Sequence, residues 1–229
     1  MTRKSDDARK IGDESIGEYA SPPCFLHELD PAYSGISDAV TETDVARWRK
    51  AERARLIAAR QAVPVAARAG ADAEIGRRLD ALLGDLSGKT IGLYWPFKGE
   101  PDLRGWAKRQ RGTGARFCLP VVVKKAAPLI FRDWSEGCAL ERGVWNIPIP
   151  SAAAPEVTPD VVISPVVGFD AQNYRLGYGG GFYDRTLARL RHQGHRPRVI
   201  GVGFELQRIA TIYPQPYDIA LDEAVLAAV

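Results

Sequence analysis

The segment that most constrains the fold is a glycine-rich loop enclosed between a strand and a helix. The run Val161–Val167 is dense in β-branched residues, which is typical of a strand buried on both faces. Arg-Leu-Gly-Tyr-Gly-Gly-Gly-Phe-Tyr-Asp follows at 175–184, and a helical pattern continues to about Leu190. In an open α/β sheet, a loop placed in this way lies at the carboxyl ends of the strands, where ligands bind. The segment therefore predicts both a layered α/β fold and a ligand site.

The rest of the chain alternates between helical patterns and short apolar runs. The predicted helices cover about Thr41–Ala62, Ala71–Leu86 and, capped by Asp102, the stretch to Arg111. The predicted strands are Thr90–Trp95, Phe117–Val123, Leu129–Phe131, Val161–Val167 and Val199–Phe204. Strands that alternate with helices form a mostly parallel sheet. We therefore predict a three-layer, Rossmann-like α/β sandwich with a largely parallel central sheet, built by residues 41–229 as a single domain.

Residues 1–40 have a different character from this body. They mix charges with Gly, Ser and Pro, including Ser21-Pro22-Pro23, and they show no sustained periodicity. Such a composition buries too little apolar surface to form a core of its own. We predict an N-terminal extension that is partly disordered or draped over the body.

Composition excludes several classes of protein. The chain of 229 residues is 45% hydrophobic and 26% charged, close to the globular average. It contains no run of about 18 apolar residues and no apolar segment at its start, so we expect a cytoplasmic protein without a membrane span. A net charge of +3 is too small to indicate nucleic acid, and three scattered cysteines give neither a disulfide framework nor a zinc pair. Small-molecule partners and a monomer are expected, although the sequence does not determine the oligomeric state.

The chemistry of the glycine-rich loop favours phosphate. Glycines allow positive φ and a close approach of the backbone, and we predict these properties for Gly177, Gly179, Gly180 and Gly181. Exposed amides and the positive end of the following helix attract anions, and Arg175 adds a bidentate donor. Asn173 is predicted to be left-handed. The Gly-x-Gly-Gly-Gly spacing fits a dinucleotide loop poorly, no Gly-Lys-Ser/Thr indicates a Walker loop, and a purely structural turn remains an alternative.

The flanks of the loop carry a family resemblance. The run from Phe169-Asp170 through Arg175-Leu176-Gly177 to Tyr183-Asp184 resembles the signature of 5-formyltetrahydrofolate cyclo-ligases, roughly F-D-x-x-G-x-R-L-G-x-G-x-G-[FY]-Y-D. One position departs from that pattern, where Asn173 replaces a Gly in the same turn. The similarity extends from about residue 45 to the C-terminus. It implies ATP as co-substrate, Mg²⁺ as metal and a reduced folate as second substrate.

The resemblance also implies roles for individual residues. ATP would be bound by Lys50 and Arg53 of the first helix and by the loop residues Arg175, Leu176, Gly177, Tyr178, Gly179, Gly180, Gly181, Phe182 and Tyr183. The folate would be bound by Trp95, Glu100, Tyr178 and Phe182. Mg²⁺ would be bound by Asp184 and Asp218, since hard oxygen ligands beside a polyphosphate suit this ion. No residue is assigned as a catalytic acid or base, because phosphoryl transfer depends mainly on positioning and charge stabilisation.

Each of these residues also has a simpler interpretation. Lys50 and Arg53 could belong to a solvated basic helix face, and Glu100 could be an exposed loop carboxylate. Trp95 could pack in the core. Asp184 could be the N-cap of the helix that it begins, a role that does not exclude metal binding.

The reaction implied is the ATP-dependent conversion of 5-formyltetrahydrofolate to 5,10-methenyltetrahydrofolate. One departure leaves an alternative open. Family members carry Gly-Ile-x-Glu-Pro ahead of the buried strand, and here Asn146-Ile-Pro-Ile149-Pro places an apolar residue at the Glu position. A divergent relative, acting on another substrate or binding nucleotide or folate without catalysis, would fit that substitution.

Overall fold

The structure is a computed structural model that describes residues 38–229, with side chains described from residue 42. By its internal contacts the chain forms two compact units, and the boundary between them in the sequence falls between Ala51 and Glu52. The described part of the first unit is the N-terminal half of one helix, and the second unit contains the sheet. The predicted extension over residues 1–40 lies almost wholly outside the described residues, so it stays a prediction.

Two long helices precede the sheet. Helix α1 spans Asp38–Ala62 and helix α2 spans Val65–Leu83. Helix α1 begins three residues before the predicted Thr41, and no Gly or Pro interrupts it before Pro64. Helix α2 begins six residues before the predicted Ala71, because proline is compatible with a helix start and Pro64 forms the N-cap.

The end of α2 also differs from the prediction. The helix stops at Leu83 rather than Leu86, because Gly84 adopts φ 63°, a left-handed conformation that glycine takes without strain. Helix α3, Arg104–Arg111, ends as predicted. Asp102 does support its start, since its carboxylate accepts the Arg104 N–H at 3.1 Å, although Leu103 is the N-cap.

The central sheet has six strands in the order β10-β9-β6-β1-β2-β3. Their bounds are β1 Thr90–Gly92, β2 Arg116–Val121, β3 Ile130–Asp133, β6 Val161–Pro165, β9 Arg198–Phe204 and β10 Glu223–Ala227. Every neighbouring pair is parallel except β2 with β3. Two small antiparallel ladders accompany it, β4 Leu140–Arg142 with β5 Pro148–Pro150 and β7 Gly168–Phe169 with β8 Arg175–Leu176. The largely parallel sheet is confirmed.

Side-chain alternation along the strands produces the predicted three layers. On one face, Ile163 joins a core with Ile75 of α2 and Trp106 of α3. On the other face, Val162 joins a core with Leu187 of helix α4, Phe182–His192. Successive residues of a strand point to opposite faces, so one buried strand supplies both cores.

The glycine-rich segment connects β6 to α4 through the β7–β8 ladder. Asn173 has φ 66°, so its predicted left-handed conformation is confirmed. Gly179 and Gly181 have positive φ as predicted, whereas Gly177 and Gly180 do not. Gly180 is constrained by space instead, because a Cβ there would lie 2.7 Å from the Phe182 ring.

None of the helices within residues 38–229 is long and apolar enough to cross a membrane.

Leu79 provides a test of the α2 layer. Its side chain is fully buried between α2 and the sheet, so Leu79→Ala should lower the free energy of unfolding by about 2–5 kcal/mol through lost burial and a cavity. Val65→Ala, at a side chain that is 72% exposed on the same helix, should change it by no more than about 0.5 kcal/mol. Urea denaturation measures the free energy of unfolding of both variants. Equal losses in the two variants would contradict the buried position of Leu79 between α2 and the sheet.

Candidate active site

The candidate site lies where the direction of strand addition reverses. From β1 the chain adds β2 on one side, and later returns to add β6 on the other side of β1. A crevice at the carboxyl ends of two such strands is the usual ligand position in an open α/β sheet. Here the loop after β1 contributes residues 96–101, and the segment after β6 contributes the glycine-rich loop.

Glu100 is the buried acid of this crevice. Its side chain is 3% exposed, so it is not the solvated loop carboxylate that the sequence left open. Oε2 accepts the Phe97 N–H at 2.9 Å, and Oε1 accepts the Tyr178 hydroxyl at 2.8 Å. Burial raises the pKa of Glu100 to about 7, while the charge of Arg60 and the two hydrogen bonds act in the opposite direction.

Arg60 is the buried cation of the crevice, and the sequence did not identify it as a site residue. No part of its side chain is exposed. Nε donates to the Lys98 carbonyl at 3.0 Å, Nη1 to the Val166 carbonyl at 3.2 Å and Nη2 to the Tyr178 hydroxyl oxygen at 2.6 Å. Nη2 also lies 3.9 Å from Glu100 Oε1. In the sequence Arg60 is one of several arginines in α1, and nothing there distinguishes a buried arginine from a solvated one.

An aromatic group adjoins Glu100. The Phe97 and Trp145 rings are stacked, with centroids 5.9 Å apart and an interplanar angle of 7°. Tyr178 lies 6.0 Å from Phe97 and 6.1 Å from Trp145. The Trp145 side chain is 55% exposed, so one face of the group is open to solvent. Phe97 and Trp145 were not among the predicted site residues.

A left-handed turn presents Trp145 in this position. Trp145 has φ 58° and Asn146 has φ 61°, both between β4 and β5. Asn146 therefore adopts a conformation suited to the Gly that the family pattern has there, which is the signal that could have identified the turn. Ile149, at the family's Glu position, lies against Gly143, where an added Cβ would be 2.9 Å from its Cδ1.

At the two ends of the glycine-rich loop, Arg175 and Asp184 form a partly buried ion pair. Arg175 Nη2 donates to Asp184 Oδ1 at 3.0 Å, and the Ile219 amide donates to the same oxygen at 3.2 Å. Arg175 Nη1 is buried, and no atom of the part of the chain that the structure describes forms a hydrogen bond with it. Asp184 is the third residue of α4, whose N-cap is Gly181, so the N-cap interpretation is wrong.

Asp218 lies next to Ile219, whose amide binds Asp184. Asp218 Oδ2 accepts the Gln215 N–H at 2.7 Å. Within residues 38–229 no group of three or more His, Cys, Asp or Glu side chains could hold a metal ion. Mg²⁺ that accompanies a nucleotide needs only one or two carboxylates, since phosphate oxygens and waters complete its coordination.

The remaining predicted residues are distributed around the loop. Arg53 donates its Nε–H to the Gly177 carbonyl at 2.7 Å and also borders Gly179. Phe182 packs on Gly180, and the Arg185 guanidinium lies 5.8 Å from its ring.

Two predicted site residues, Trp95 and Lys50, have no ring contact with Phe97, Trp145 or Tyr178 within the described part of the chain. Trp95 packs edge-on against Trp134 with ring centroids 6.1 Å apart, and the Arg104 guanidinium lies 4.9 Å from the Trp95 ring centroid. Trp95 thus borders the core on the α2 and α3 face of the sheet. Lys50 is exposed on α1 in the first unit, and its role stays a prediction.

Comparison with known proteins identifies close parallels. A model of the 5-formyltetrahydrofolate cyclo-ligase family matches residues 45–227. The 5-formyltetrahydrofolate cyclo-ligase of Escherichia coli K12 is 32% identical over 141 residues, which is 59% of this chain and 76% of that protein. The Mycolicibacterium smegmatis enzyme of the same name is 32% identical over 176 residues, covering 74% of this chain and 88% of the relative.

Two solved structures that resemble this chain are 5,10-methenyltetrahydrofolate synthetases. A 5,10-methenyltetrahydrofolate synthetase from Mycoplasma pneumoniae aligns with TM-score 0.61 and 27% identity, over 77% of this chain and 96% of that one. The Aquifex aeolicus 5,10-methenyltetrahydrofolate synthetase aligns with TM-score 0.66 and 26% identity, over 78% and 89%.

The raised pKa of Glu100 predicts a pH-dependent stability. The folded protein keeps a proton on Glu100 at pH values where the unfolded chain, with a pKa near 4.5, has lost it. This stabilisation is fully present below the unfolded pKa and is lost as the pH rises through about 7. Between about pH 5 and pH 8, wild type should therefore lose stability relative to Glu100→Gln, by on the order of 1–3 kcal/mol.

Urea denaturation across this pH range measures the difference. Glu141→Gln, at an exposed position, is the matched control and should follow the wild-type profile. A difference between wild type and Glu100→Gln that stays constant with pH would contradict the assigned titration.

Proposed function

Because the chain belongs to the 5-formyltetrahydrofolate cyclo-ligase family, we propose that the crevice between β1 and β6 is where it converts 5-formyltetrahydrofolate to 5,10-methenyltetrahydrofolate. The protein is an ATP-dependent ligase, and ADP and phosphate are released. The observation that carries the placement is the glycine-rich loop, whose two ends form the Arg175–Asp184 ion pair and whose Tyr178 hydroxyl donates to the buried Glu100. One loop thus borders both a phosphate site and a site for a second substrate.

The chemistry couples phosphoryl transfer to ring closure. The formyl oxygen attacks the γ-phosphorus of ATP, and the bond from that phosphorus to ADP breaks. N10 of the folate then attacks the activated formyl carbon and loses its proton, and the carbon–oxygen bond breaks as phosphate leaves with the bonding electron pair. Both steps need the reacting atoms held together in a site that excludes water, rather than a side-chain nucleophile.

On the ATP side, the loop and two arginines would bind the phosphates. Arg175 Nη1 supports this role because it is a buried, charged donor without a partner among residues 42–229, and such a group is costly unless a ligand satisfies it. Gly179 and Gly181 have positive φ, which opens the loop backbone toward a ligand. Arg53 would add charge from α1.

The carboxylates near this loop fit Mg²⁺. Both hydrogen bonds described for Asp184 end on Oδ1, so they do not occupy Oδ2. We assign Asp184 to the ion that accompanies the ATP phosphates. We assign Asp218 to the same ion, because the amide of the next residue, Ile219, donates to Asp184 and so places Asp218 near it. When bound there, Mg²⁺ would neutralise negative charge on the phosphate oxygens.

On the folate side, Glu100 and the aromatic group of Phe97, Trp145 and Tyr178 would bind the pterin. A pterin is a flat heterocycle whose amino-pyrimidine edge carries adjacent N–H donors, and the Glu100 carboxylate offers acceptors at the floor of the crevice. The exposed face of Trp145 offers a surface for stacking. Trp95 and Phe182 would then line the site more peripherally than the resemblance implies.

Turnover of the purified protein tests the function directly. With ATP, Mg²⁺ and 5-formyltetrahydrofolate, methenyltetrahydrofolate should form and be detected by its absorbance, with ADP released in equal amount. Omitting either ATP or Mg²⁺ should abolish product. Calorimetric binding of ATP and folate without product would instead support the non-catalytic alternative suggested by Ile149.

Asp184→Asn tests the metal assignment. Asn keeps an oxygen acceptor for Arg175 and for the Ile219 amide, so folding should be largely preserved while an anionic ligand is lost. We expect kcat/KM for Mg-ATP to fall at least ~10-fold, with partial recovery at high Mg²⁺ concentration.

Glu136→Ala, at an exposed carboxylate outside the crevice, is the control and should leave kcat/KM unchanged. A large fall in thermal stability of Asp184→Asn with unchanged use of Mg-ATP would show that Asp184 has only a structural role.

A further inference from the structure

We propose that Arg60 is a positioning residue for this reaction, which holds the Tyr178 hydroxyl on Glu100 and thereby presents Glu100 to the folate as a carboxylate. This inference rests on the proposed function, because it assigns the folate to Glu100. Arg60 lies in α1 and is not one of the residues assigned above to phosphate or to Mg²⁺.

One guanidinium joins the three segments that form the crevice. Arg60 binds Lys98 in the loop after β1, Val166 after β6 and Tyr178 in the glycine-rich loop. Arg60 itself belongs to the last turn of α1. The planar fork of arginine can bind three acceptors in fixed directions, whereas a lysine ammonium on a flexible stem cannot reproduce that geometry.

The directions of the hydrogen bonds around the Tyr178 hydroxyl favour an ionised Glu100. A guanidinium only donates, so the Tyr178 oxygen must accept from Arg60 at 2.6 Å. The single proton of the hydroxyl is then available to Glu100 Oε1, which lies 2.8 Å away. If Oε1 carried a proton, that proton and the proton of the Tyr178 hydroxyl would point at each other and no hydrogen bond could form. Arg60 therefore favours the ionised form of Glu100, and it acts through Tyr178.

The charges around Glu100 also favour this role for Arg60. Burial raises the pKa of Glu100, and the charge of Arg60 is the largest opposing influence. Tyr178 donates to it, and Tyr94 and Tyr183 interact with it electrostatically; the pKa of each phenol is raised, so all three are neutral near pH 7. Arg60 is thus the cation that counters the burial of Glu100 in the folded protein, and losing its charge should raise the pKa of Glu100 further.

Two substitutions at Arg60 separate charge from geometry. Arg60→Met removes both, whereas Arg60→Lys keeps the charge but not the fork. Arg60→Met should raise the pKa of Glu100 above about 7, as followed by carbon NMR of glutamate labelled at the carboxyl carbon, and Arg60→Lys should leave it closer to the wild-type value. In both variants KM for 5-formyltetrahydrofolate should rise at least ~10-fold, and several-fold more than KM for ATP.

Leu79→Ala is the control for a loss of stability alone. It removes a buried side chain of the core between α2 and the sheet, outside the crevice. With a comparable decrease in melting temperature, it should leave both KM values and the Glu100 titration as in wild type. An Arg60→Met protein that behaves like Leu79→Ala in these measurements would reduce Arg60 to a structural residue and overturn the proposal.

A double-mutant cycle covers the case in which Arg60→Met does not fold. If Arg60 acts through the hydroxyl of Tyr178, the effects of Arg60→Lys and Tyr178→Phe on KM for 5-formyltetrahydrofolate should not be additive. Additive effects would overturn the proposal. The NMR titration needs no turnover, so a failure of the enzymatic assay and a failure of the Arg60 inference can be told apart.

Discussion

A buried arginine cation organises the crevice, because an ion removed from water must find its hydrogen-bond acceptors inside the protein. Arg60 finds them in three segments that are distant in sequence: the loop after β1, the end of β6 and the glycine-rich loop. The end of α1 is thereby held against all three. Glu100, the acid of the same crevice, is stabilised by the arrangement that satisfies Arg60.

The sheet topology explains why these segments meet. Parallel strands place their carboxyl ends at one edge, and the reversal of strand order between β1 and β6 separates the connections that would otherwise cover it. The side of the crevice that we propose for phosphate contains Arg175, Asp184 and the positive-φ glycines, and the side proposed for the folate contains Glu100 and the aromatic group. Tyr178 belongs to both sides, since it lies in the glycine-rich loop and donates to Glu100.

Sequence reasoning succeeded where local patterns decide the structure. The β-branched run of β6, the capacity of Asn173 for a left-handed conformation and the end of α1 before Pro64 are local properties of the chain. It failed where packing decides. The short β10 strand has little pattern of its own and exists through its pairing with β9. The early start of α2 is a different kind of error, because Pro64 at its N-cap is a local feature that the prediction did not use.

The sequence by itself determined the fold class and, through the run from Phe169 to Asp184, the family. Only the tertiary structure decided which side chains share the crevice. Arg60 is one arginine among several in α1, and Trp145 lies in a turn far from Phe97 in the sequence. Burial, the direction of a hydrogen bond and the stacking of rings depend on distances between remote segments, and local residue patterns do not encode those distances.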